Sequence, residues 1–271
     1  MRLLDGRELA DYIKERQIKQ VRNLRQSWKT IPKLAIVIAN DDPVIDTFVR
    51  LKQAYGDDMT IEVEVLRVKQ TDLPDTLAQL NDNALIHGII VQLPLQDPSE
   101  TDEIVKLINP EKDVDGLSGQ GPFISATATA IDWLVNGYNV TLKERSIAIV
   151  GMGRLVGAPL AKLWRDGGLV VTTYDETTED LQSELRKADI IVTATGVPGL
   201  ITSQMISPSK VVVDAGSASE NGTIVGDVAA DVRERTDLTI TPVRGGVGPL
   251  TISALFDNVI QAANATVDRT K

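Results

Sequence analysis

The chain of 271 residues contains no cysteine and a single histidine, His87. The missing cysteines exclude a disulfide scaffold, a thiolate zinc site and a cysteine nucleophile. With one histidine a multi-histidine metal centre is impossible, and a serine–histidine–aspartate triad would depend on that residue alone. Because His87 directly precedes a predicted apolar strand, we expect it to be structural, and we expect no metal site.

Positive charge is also scarce, because 28 lysines and arginines stand against 38 aspartates and glutamates, for a formal net charge of −10. A nucleic-acid-binding protein would carry a basic surface, so this class is disfavoured. No apolar run reaches the length of about 18 residues that spans a membrane, and the charged N-terminus lacks a signal-peptide core. We therefore expect a cytoplasmic protein that binds neither nucleic acid nor membrane.

Apolar residues occur in two patterns along the chain, at helical spacing and in short continuous runs. Residues 4–28 carry them at helical spacing, which predicts a long amphipathic helix. Short continuous apolar segments then alternate with helical ones, as in a parallel sheet covered on both faces. The predicted strands are 34–39, 61–68, 88–91, 146–150, 169–173, 190–193, 211–214 and 238–240; helices are predicted over 43–55, 73–81 and 249–267.

A loop at residues 110–122 separates two series of strands, which predicts two α/β domains. We expect an N-terminal three-layer α/β domain over residues 1–121, completed by the C-terminal helix within residues 250–271. A Rossmann-type dinucleotide-binding domain is expected over residues 122–249. A cleft between two such domains is a common place for a ligand site.

Residues 147–159 read as a buried strand, a glycine turn and the start of a helix. Gly151 permits a tight turn, and Gly153 lets backbone approach a pyrophosphate at the helix N-terminus. Gly157 stands one position later than in the G-x-G-x-x-G pattern, so a glycine turn without a ligand is the alternative. The expected cofactor-binding residues here are Gly151, Met152, Gly153, Arg154, Leu155 and Val156.

The next predicted strand leads to Asp175, the place where an acid of this fold binds the adenosine ribose. We expect Asp175 either to accept those hydrogen bonds or to cap the following helix. A 2′-phosphate would meet Asp175 and Glu176 with no cationic side chain before Arg186, which favours NAD over NADP. The edge where nucleotides bind is also expected to contain Ala194, Thr195, Gly196, Gly216 and Ser217.

Three features of the first domain combine polar groups with predicted secondary structure. Gln92 follows a buried strand, residues 109–116 place two aspartates before a glycine, and Phe48 and Lys52 share a helix face. Taken singly, each is typical of ordinary structure: a solvated lysine, a core aromatic and a turn-forming acid.

The order of such blocks resembles the methylenetetrahydrofolate dehydrogenase/cyclohydrolase family over nearly the full length of the chain. The resemblance implies oxidation of 5,10-methylenetetrahydrofolate to the methenyl form with a nicotinamide cofactor, then hydrolysis to 10-formyltetrahydrofolate. It also implies a homodimer formed through the nucleotide domains. The blocks that carry it are Leu4–Gly6, Val91–Leu95, Pro110–Gly116, Val150–Pro159, Ala194–Gly196, Gly226–Val228 and Thr241–Thr251.

The resemblance also implies roles for particular residues. Lys52 matches the family's catalytic lysine, which transfers protons and activates water during hydrolysis, and Gln92 matches its partner. Such a lysine needs a lowered pKa, which desolvation can supply. Asp115 matches the acid that holds the pterin. The catalytic set is thus Lys52, Gln92 and Asp115, and the substrate-binding set is Phe48, Gln92, Leu93, Pro94, Asp115, Gly245, Gly246 and Pro249.

Some positions depart from the family pattern. Phe48 replaces a tyrosine, which keeps an aromatic face for the pterin but removes a hydroxyl that could bond to the lysine. Met152 and Gly153 replace a polar pair, and a small polar residue is more typical at Asp175. Asp175 favours NAD, whereas the habit of the family favours NADP, so either cofactor is expected.

Three other functions stay open at this point. A dehydrogenase with a weakened cyclohydrolase would follow from Phe48. A folate- or dinucleotide-binding paralogue would lack turnover, although binding alone would not require Lys52. A shikimate-dehydrogenase-like oxidoreductase would share the two-domain layout without the Gln-Leu-Pro-Leu and Asp-Val-Asp-Gly blocks.

Overall fold

The computed structural model of the chain describes residues 1–220 and 223–267. Its strands are β1 (Arg2–Leu3), β2 (Lys33–Ile38), β3 (Glu62–Arg67), β4 (Gly88–Gln92), β5 (Ile147–Val150), β6 (Val171–Tyr174), β7 (Ile190–Thr193), β8 (Val211–Asp214), β9 (Ala218–Glu220), β10 (Thr223–Val225) and β11 (Thr239–Ile240). Its α-helices are α1 (Gly6–Ser27), α2 (Pro43–Met59), α3 (Leu73–Asp82), α4 (Thr101–Val105), α5 (Ala126–Gly137), α6 (Gly157–Asp166), α7 (Leu181–Lys187), α8 (Ala230–Arg233) and α9 (Val247–Ala265). Short 3₁₀ helices cover Gln70–Asp72, Pro98–Glu100 and Ser203–Met205.

The chain divides into two compact units. The six-stranded unit contains Met1–Asp11 and Thr127–Thr251, and the three-stranded unit contains Tyr12–Ala126 and the chain from Ile252 onward. Each is built around a parallel sheet, and the predicted two-domain α/β class is confirmed. The functional domain bounds proposed from the sequence stay a prediction.

In the three-stranded unit the strand order is β3-β2-β4, and both pairings are parallel. The register places Arg67, Ile38 and Gln92 in one row at the carboxyl end of the sheet. One face of the sheet packs against α3 and α4 through a buried apolar cluster that includes Val37, Val91, Leu77 and Ile104. Parallel strands of this kind need a crossover between them, and α2 and α3 supply it.

Most of α9 belongs to the three-stranded unit, as predicted for the C-terminal helix. The ring of Phe256 lies 5.0 Å from that of Tyr55 on α2. The Tyr55 hydroxyl donates to Gln17 Oε1 at 2.8 Å, so α1, α2 and α9 are linked by both apolar and polar contacts. Buried Asn258 donates to the carbonyls of Val114 and Ile124, which ties α9 to the loop after α4.

In the six-stranded unit the strand order is β1-β11-β8-β7-β5-β6, with every pairing parallel. From β5 the chain crosses to β6 on one side and then returns to β7 on the other. This reversal is the switch point at which dinucleotides bind in Rossmann-type sheets. Strands β5 and β7 are short and wholly buried, which is why each read as a continuous apolar run.

Helices α4 and α5 were not predicted, and neither were strands β1, β9 and β10. Arg2 and Leu3 form β1 beside Thr239 and Ile240, and the first helix therefore begins at Gly6. An antiparallel hairpin of β9 and β10 lies between β8 and α8, in a segment without a run of apolar residues. No α-helix in the described part of the chain has the length and hydropathy needed to cross a membrane.

Candidate active site

A lysine and a glutamine meet in the three-stranded unit. Helix α2 begins at Pro43, with Asp42 as an N-cap that accepts from Val44 N at 2.8 Å. About two and a half turns along this helix, the Nζ of Lys52 donates to Gln92 Oε1 at 2.6 Å. Gln92 is the last residue of β4, so a rigid helix and a sheet edge fix the pair.

Desolvation dominates the electrostatics of Lys52 and Asp115. Burial lowers the pKa of Lys52 below 10.5, and the negative charge of Asp115 opposes this shift. Burial likewise raises the pKa of Asp115 above 3.8; Lys52 opposes this, and Asp113 reinforces it. A lowered pKa increases the share of neutral amine, which is the form that can accept a proton.

The two acids before Gly116 have different tasks. Asp113 is buried, and its carboxylate accepts from the backbone N–H groups of Leu117 and Ser118 and from the Ser118 hydroxyl. It therefore holds the loop together. Asp115 is instead coupled through its charge to Lys52.

Glycine is required after Asp115. Gly116 has a φ of +67°, and a Cβ there would lie 2.7 Å from the carbonyl oxygen of Phe123. Lys112 in the same loop donates to the carbonyls of Leu80, Asn81 and Asn83 at the end of α3. The Asp-Gly pair and the lysine thus fix the backbone from which Asp115 projects.

The remaining expected residues of this unit lie nearby in the chain. Phe48 is half-buried one turn before Lys52 on α2. Leu93 and Pro94 follow Gln92 directly; Leu93 packs on the apolar core, and the Pro94 carbonyl accepts from Asn40 Nδ2 at 3.1 Å.

The glycine turn lies in the six-stranded unit, between β5 and α6. Gly151 has a φ of +90°, and a Cβ there would lie 2.5 Å from the carbonyl oxygen of Ala194. A Cβ on Gly157 would lie 1.8 Å from the Gly151 carbonyl oxygen, so this glycine closes the turn despite its displaced position. Gly153 faces open space. Between these glycines lie Met152, Arg154, Leu155 and Val156.

Asp175 directly follows β6 and does not cap the next helix. Its Oδ1 accepts from the backbone N–H and the hydroxyl of Thr177, at 2.9 and 2.6 Å. These bonds lower its pKa, so the carboxylate stays ionised. The N-cap of α7 is Asp180, which accepts from Ser183 N.

Other expected residues of this unit lie after its strands. Gly245 has a φ of +86°, and its carbonyl oxygen accepts from Gly6 N at 2.8 Å. A Cβ on Gly6 would lie 1.8 Å from the Gly246 carbonyl oxygen, so the Leu4–Gly6 block contacts the double glycine. Pro249 lies in the first turn of α9. Ala194, Thr195 and Gly196 follow β7, and Gly216 and Ser217 follow β8.

The sequence-predicted residues thus fall into two groups. Phe48, Lys52, Gln92, Leu93, Pro94 and Asp115 belong to the three-stranded unit; Gly245, Gly246, Pro249 and all the expected cofactor-binding residues belong to the six-stranded unit. Residues 1–220 and 223–267 contain no group of three or more histidine, cysteine, aspartate or glutamate side chains able to hold a metal ion.

Sequence reasoning missed a buried ionic cluster in the six-stranded unit. Arg233 donates to Asp214 at 2.6 Å, and Asp227 lies beside them with no exposed surface. The Gly226–Val228 block had been singled out only for its family resemblance, because glycine and aspartate are ordinary residues of an exposed turn. Arg233 had no signal in the sequence.

Comparison with known proteins covers both units. Residues 4–115 match the family model "Tetrahydrofolate dehydrogenase/cyclohydrolase, catalytic domain", and residues 125–267 match "Tetrahydrofolate dehydrogenase/cyclohydrolase, NAD(P)-binding domain". A bifunctional protein FolD from Exiguobacterium sibiricum is 34% identical over an alignment of 274 positions, which covers 96% of this chain and 99% of that protein.

Solved structures of the same family are similar to this chain over nearly its full length. The bifunctional enzyme FolD, methylenetetrahydrofolate dehydrogenase/cyclohydrolase, from Campylobacter jejuni is 32% identical with a TM-score of 0.91, covering 98% of this chain and 100% of that one. The Trypanosoma brucei enzyme, complexed with NADP cofactor and inhibitor, is 30% identical with a TM-score of 0.90, covering 97% of each chain.

Proposed function

The chain belongs to the tetrahydrofolate dehydrogenase/cyclohydrolase family, and we propose which of its side chains carry out the two reactions. It is an NAD(P)-dependent methylenetetrahydrofolate dehydrogenase and a methenyltetrahydrofolate cyclohydrolase. Membership in this family decides against the shikimate-dehydrogenase-like alternative. It also decides against a paralogue that only binds its ligands.

Lys52 is the general base of the hydrolysis. In its neutral form the amine takes a proton from water while the water oxygen bonds to the methenyl carbon of the folate, and the π electrons of the C=N bond return to nitrogen. Loss of the hydroxyl proton, with cleavage of the bond from this carbon to N5, then leaves the formyl group on N10. The amine keeps an N–H for Gln92 Oε1, and this hydrogen bond of 2.6 Å aims its lone pair. The observation that carries the assignment is this contact, together with the burial that lowers the pKa of Lys52.

Asp115 binds the pterin. Its two oxygens match a ring N–H and the adjacent exocyclic amine of the pterin, as a bidentate pair. Burial makes an unpaired carboxylate costly, so a ligand that donates two hydrogen bonds would stabilise it. The half-buried ring of Phe48, one helical turn before Lys52, supplies an apolar face for the same ligand.

The glycine turn fits a dinucleotide. Gly153 leaves the outer side of the turn open, and α6 is long enough, at ten residues, for its N-terminus to attract a pyrophosphate. When bound, the nicotinamide accepts the hydride that leaves the one-carbon bridge. The residues that would hold the cofactor are the turn from Gly151 to Val156, Asp175, Ala194–Gly196, Gly216 and Ser217.

We further propose that NAD is the preferred cofactor. Asp175 and Glu176 are both exposed directly after β6, where a 2′-phosphate would lie. Two carboxylates repel a phosphate, whereas the ionised Asp175 can accept hydrogen bonds from a free ribose.

Rate measurements test the cofactor preference and the role of Lys52. Initial rates with 5,10-methylenetetrahydrofolate are measured with NAD and with NADP, and hydrolysis of the methenyl form is followed separately. Turnover is expected with both cofactors but faster with NAD, and Lys52→Ala is expected to retain folate binding while losing hydrolysis. Faster turnover with NADP would overturn the Asp175 assignment, and unchanged hydrolysis in Lys52→Ala would overturn the role of the lysine.

One observation favours a second candidate. Phe48 lacks the hydroxyl expected beside the catalytic lysine, which favours an enzyme whose dehydrogenase is intact and whose cyclohydrolase is weak. The ratio of the two rates in the same preparation distinguishes this candidate from a balanced bifunctional enzyme.

Assembly and location complete the proposal. The family resemblance supports a homodimer through the nucleotide-binding domains, which light scattering would detect as twice the chain mass of 29.4 kDa. A cytoplasmic location is proposed on the same resemblance, and cell fractionation would test it.

A further inference from the structure

Asp227 has an unusual environment in the six-stranded unit. Its side chain is fully buried, and one carboxylate oxygen accepts from the Thr193 hydroxyl at 2.7 Å and from Thr195 N at 2.6 Å. The other oxygen has no hydrogen-bond partner within residues 1–220 and 223–267. It faces Gly216, where a Cβ would lie 2.2 Å away.

A second buried acid supports the first. Asp214 Oδ1 accepts from Asp227 N at 3.0 Å, and Asp214 Oδ2 pairs with Arg233 at 2.6 Å. Arg233 also donates to the carbonyl of Thr241. Gly226 makes room for this arrangement, because a Cβ there would lie 2.1 Å from Asp214 Oδ2.

The cluster of Asp214, Asp227 and Arg233 therefore holds three segments at one edge of the sheet. Thr195 follows β7, Gly216 follows β8 and donates to Asp214 at 3.1 Å, and Thr241 follows β11. These are the carboxyl ends of parallel strands, where ligands bind in open α/β sheets.

The strand order indicates which part of a dinucleotide lies there. The glycine turn after β5 marks the pyrophosphate, and Asp175 after β6 marks the adenosine side. Strands β7 and β8 lie on the opposite side of β5, so their ends receive the nicotinamide half.

We propose that Asp227 is a positioning residue for the nicotinamide half of the dinucleotide. Its carboxylate accepts a hydrogen bond from Thr195 N and so fixes the Ala194–Gly196 loop. The proposal rests on the proposed function. Burial of a carboxylate with one oxygen that accepts no hydrogen bond lowers the stability of the fold, and an apolar residue could fill the same space with a smaller loss of stability. Its contacts to Thr193 and Thr195 are the feature that such an apolar residue would not reproduce.

The test compares three variants by fluorescence titration with NADH, which needs no turnover. Asp227→Ala removes both contacts and is expected to weaken NADH binding about tenfold or more, since hydrogen bonds to charged groups are strong. Asp227→Asn keeps an oxygen for both donors and is expected to restore binding to within about threefold of wild type. Thr193→Val removes one donor without changing side-chain size and is expected to give an intermediate loss.

Methenyl hydrolysis and the KM for folate serve as internal readouts, because hydrolysis needs no dinucleotide. Both are expected to stay near wild type in all three variants. Asp231→Ala is the matched control: it removes an acid from α8 that caps Ser203 N rather than Thr195 N, and NADH binding should not change.

Wild-type affinity for NADH in Asp227→Ala and Thr193→Val would overturn the proposal. So would a parallel loss of hydrolysis and binding, which would mark a general structural role. If Asp227→Ala does not fold, Thr193→Val decides the question, and wild-type affinity for NADH in that variant would overturn the proposal. Failure of wild type itself to bind NADH would instead contradict the proposed function.

Discussion

The amine of Lys52 and the side-chain oxygen of Gln92 are 2.6 Å apart, although the two residues are separated by forty positions in the chain. An amide partner orients the lysine without adding a negative charge beside it. A carboxylate at the same place would raise the pKa of Lys52 and keep it protonated. The choice of glutamine therefore preserves the lowered pKa that burial produces.

Gln92→Glu tests the role of this amide. The new carboxylate is expected to raise the pKa of Lys52, so that less neutral amine is present at pH 7 and hydrolysis falls about tenfold or more. The pH–rate profile for methenyl hydrolysis should move to higher pH. The same change at the exposed Gln96, four residues later, provides the control, and an unmoved profile in Gln92→Glu would contradict the role of Gln92.

Phe48→Tyr is expected to strengthen hydrolysis. The added hydroxyl can hydrogen-bond near Lys52, and a neutral hydrogen bond corresponds to about two- to tenfold in rate. Dehydrogenation in the same preparation is the internal control and should change little. A tyrosine variant with unaltered hydrolysis would show that Phe48 is not what limits the second activity.

The two acids of the Lys112–Gly116 loop should respond differently to the same substitution. Asp115→Asn is expected to raise the KM for folate about tenfold, because the pterin loses a charge-assisted pair. Its stability should be unchanged or slightly higher, since burial of this carboxylate raises its pKa and so opposes ionisation.

Asp113→Asn should instead lower the stability of the fold and leave the KM for folate nearly unchanged. It replaces one acceptor oxygen of a buried carboxylate that receives three hydrogen bonds, and should cost about 1–3 kcal/mol of stability. Urea denaturation and folate saturation curves measure the two effects. Equal loss of stability in both variants would refute the division of labour between these acids.

Local patterns in the sequence predicted much of this fold. Buried strands such as β7 and β8 read directly as apolar runs, and the site residues on α2 and β4 were found by resemblance. Partners distant in the chain could not be found in this way. Strand β1 exists because Arg2 and Leu3 pair with Thr239 and Ile240, and neither pair of residues signals the other.

The sequence also could not predict which charged side chains stabilise a loop and which are available to a ligand. Sequence spacing did not tell which of Asp113 and Asp115 stabilises the loop, because both precede the same glycine. The same is true of Asp175, whose contacts to Thr177 leave helix capping to Asp180. Only side-chain geometry separates an acid that binds backbone from one that is available to a ligand.

His87, the only histidine, lies at the amino end of β4, whereas Gln92 lies at the carboxyl end. Its Nδ1 accepts from Lys33 N at 3.2 Å, and its backbone N–H donates to the Lys33 carbonyl at 3.0 Å. Burial and the nearby charge of Lys112 lower its pKa below 6.5. These contacts are those of a neutral side chain that joins β4 to β2.

This environment predicts a loss of stability in mild acid. Because the folded-state pKa of His87 is lowered, the unfolded chain binds a proton that the folded chain rejects as the pH falls below about 6.5. His87→Asn keeps an acceptor for Lys33 N and does not titrate, so its free energy of unfolding should fall less between pH 7.5 and pH 5. Urea midpoints for the two proteins across this range measure the difference, which isolates the histidine because all carboxylates are shared. Parallel curves would mean that His87 binds its proton as readily in the folded protein as in the unfolded chain.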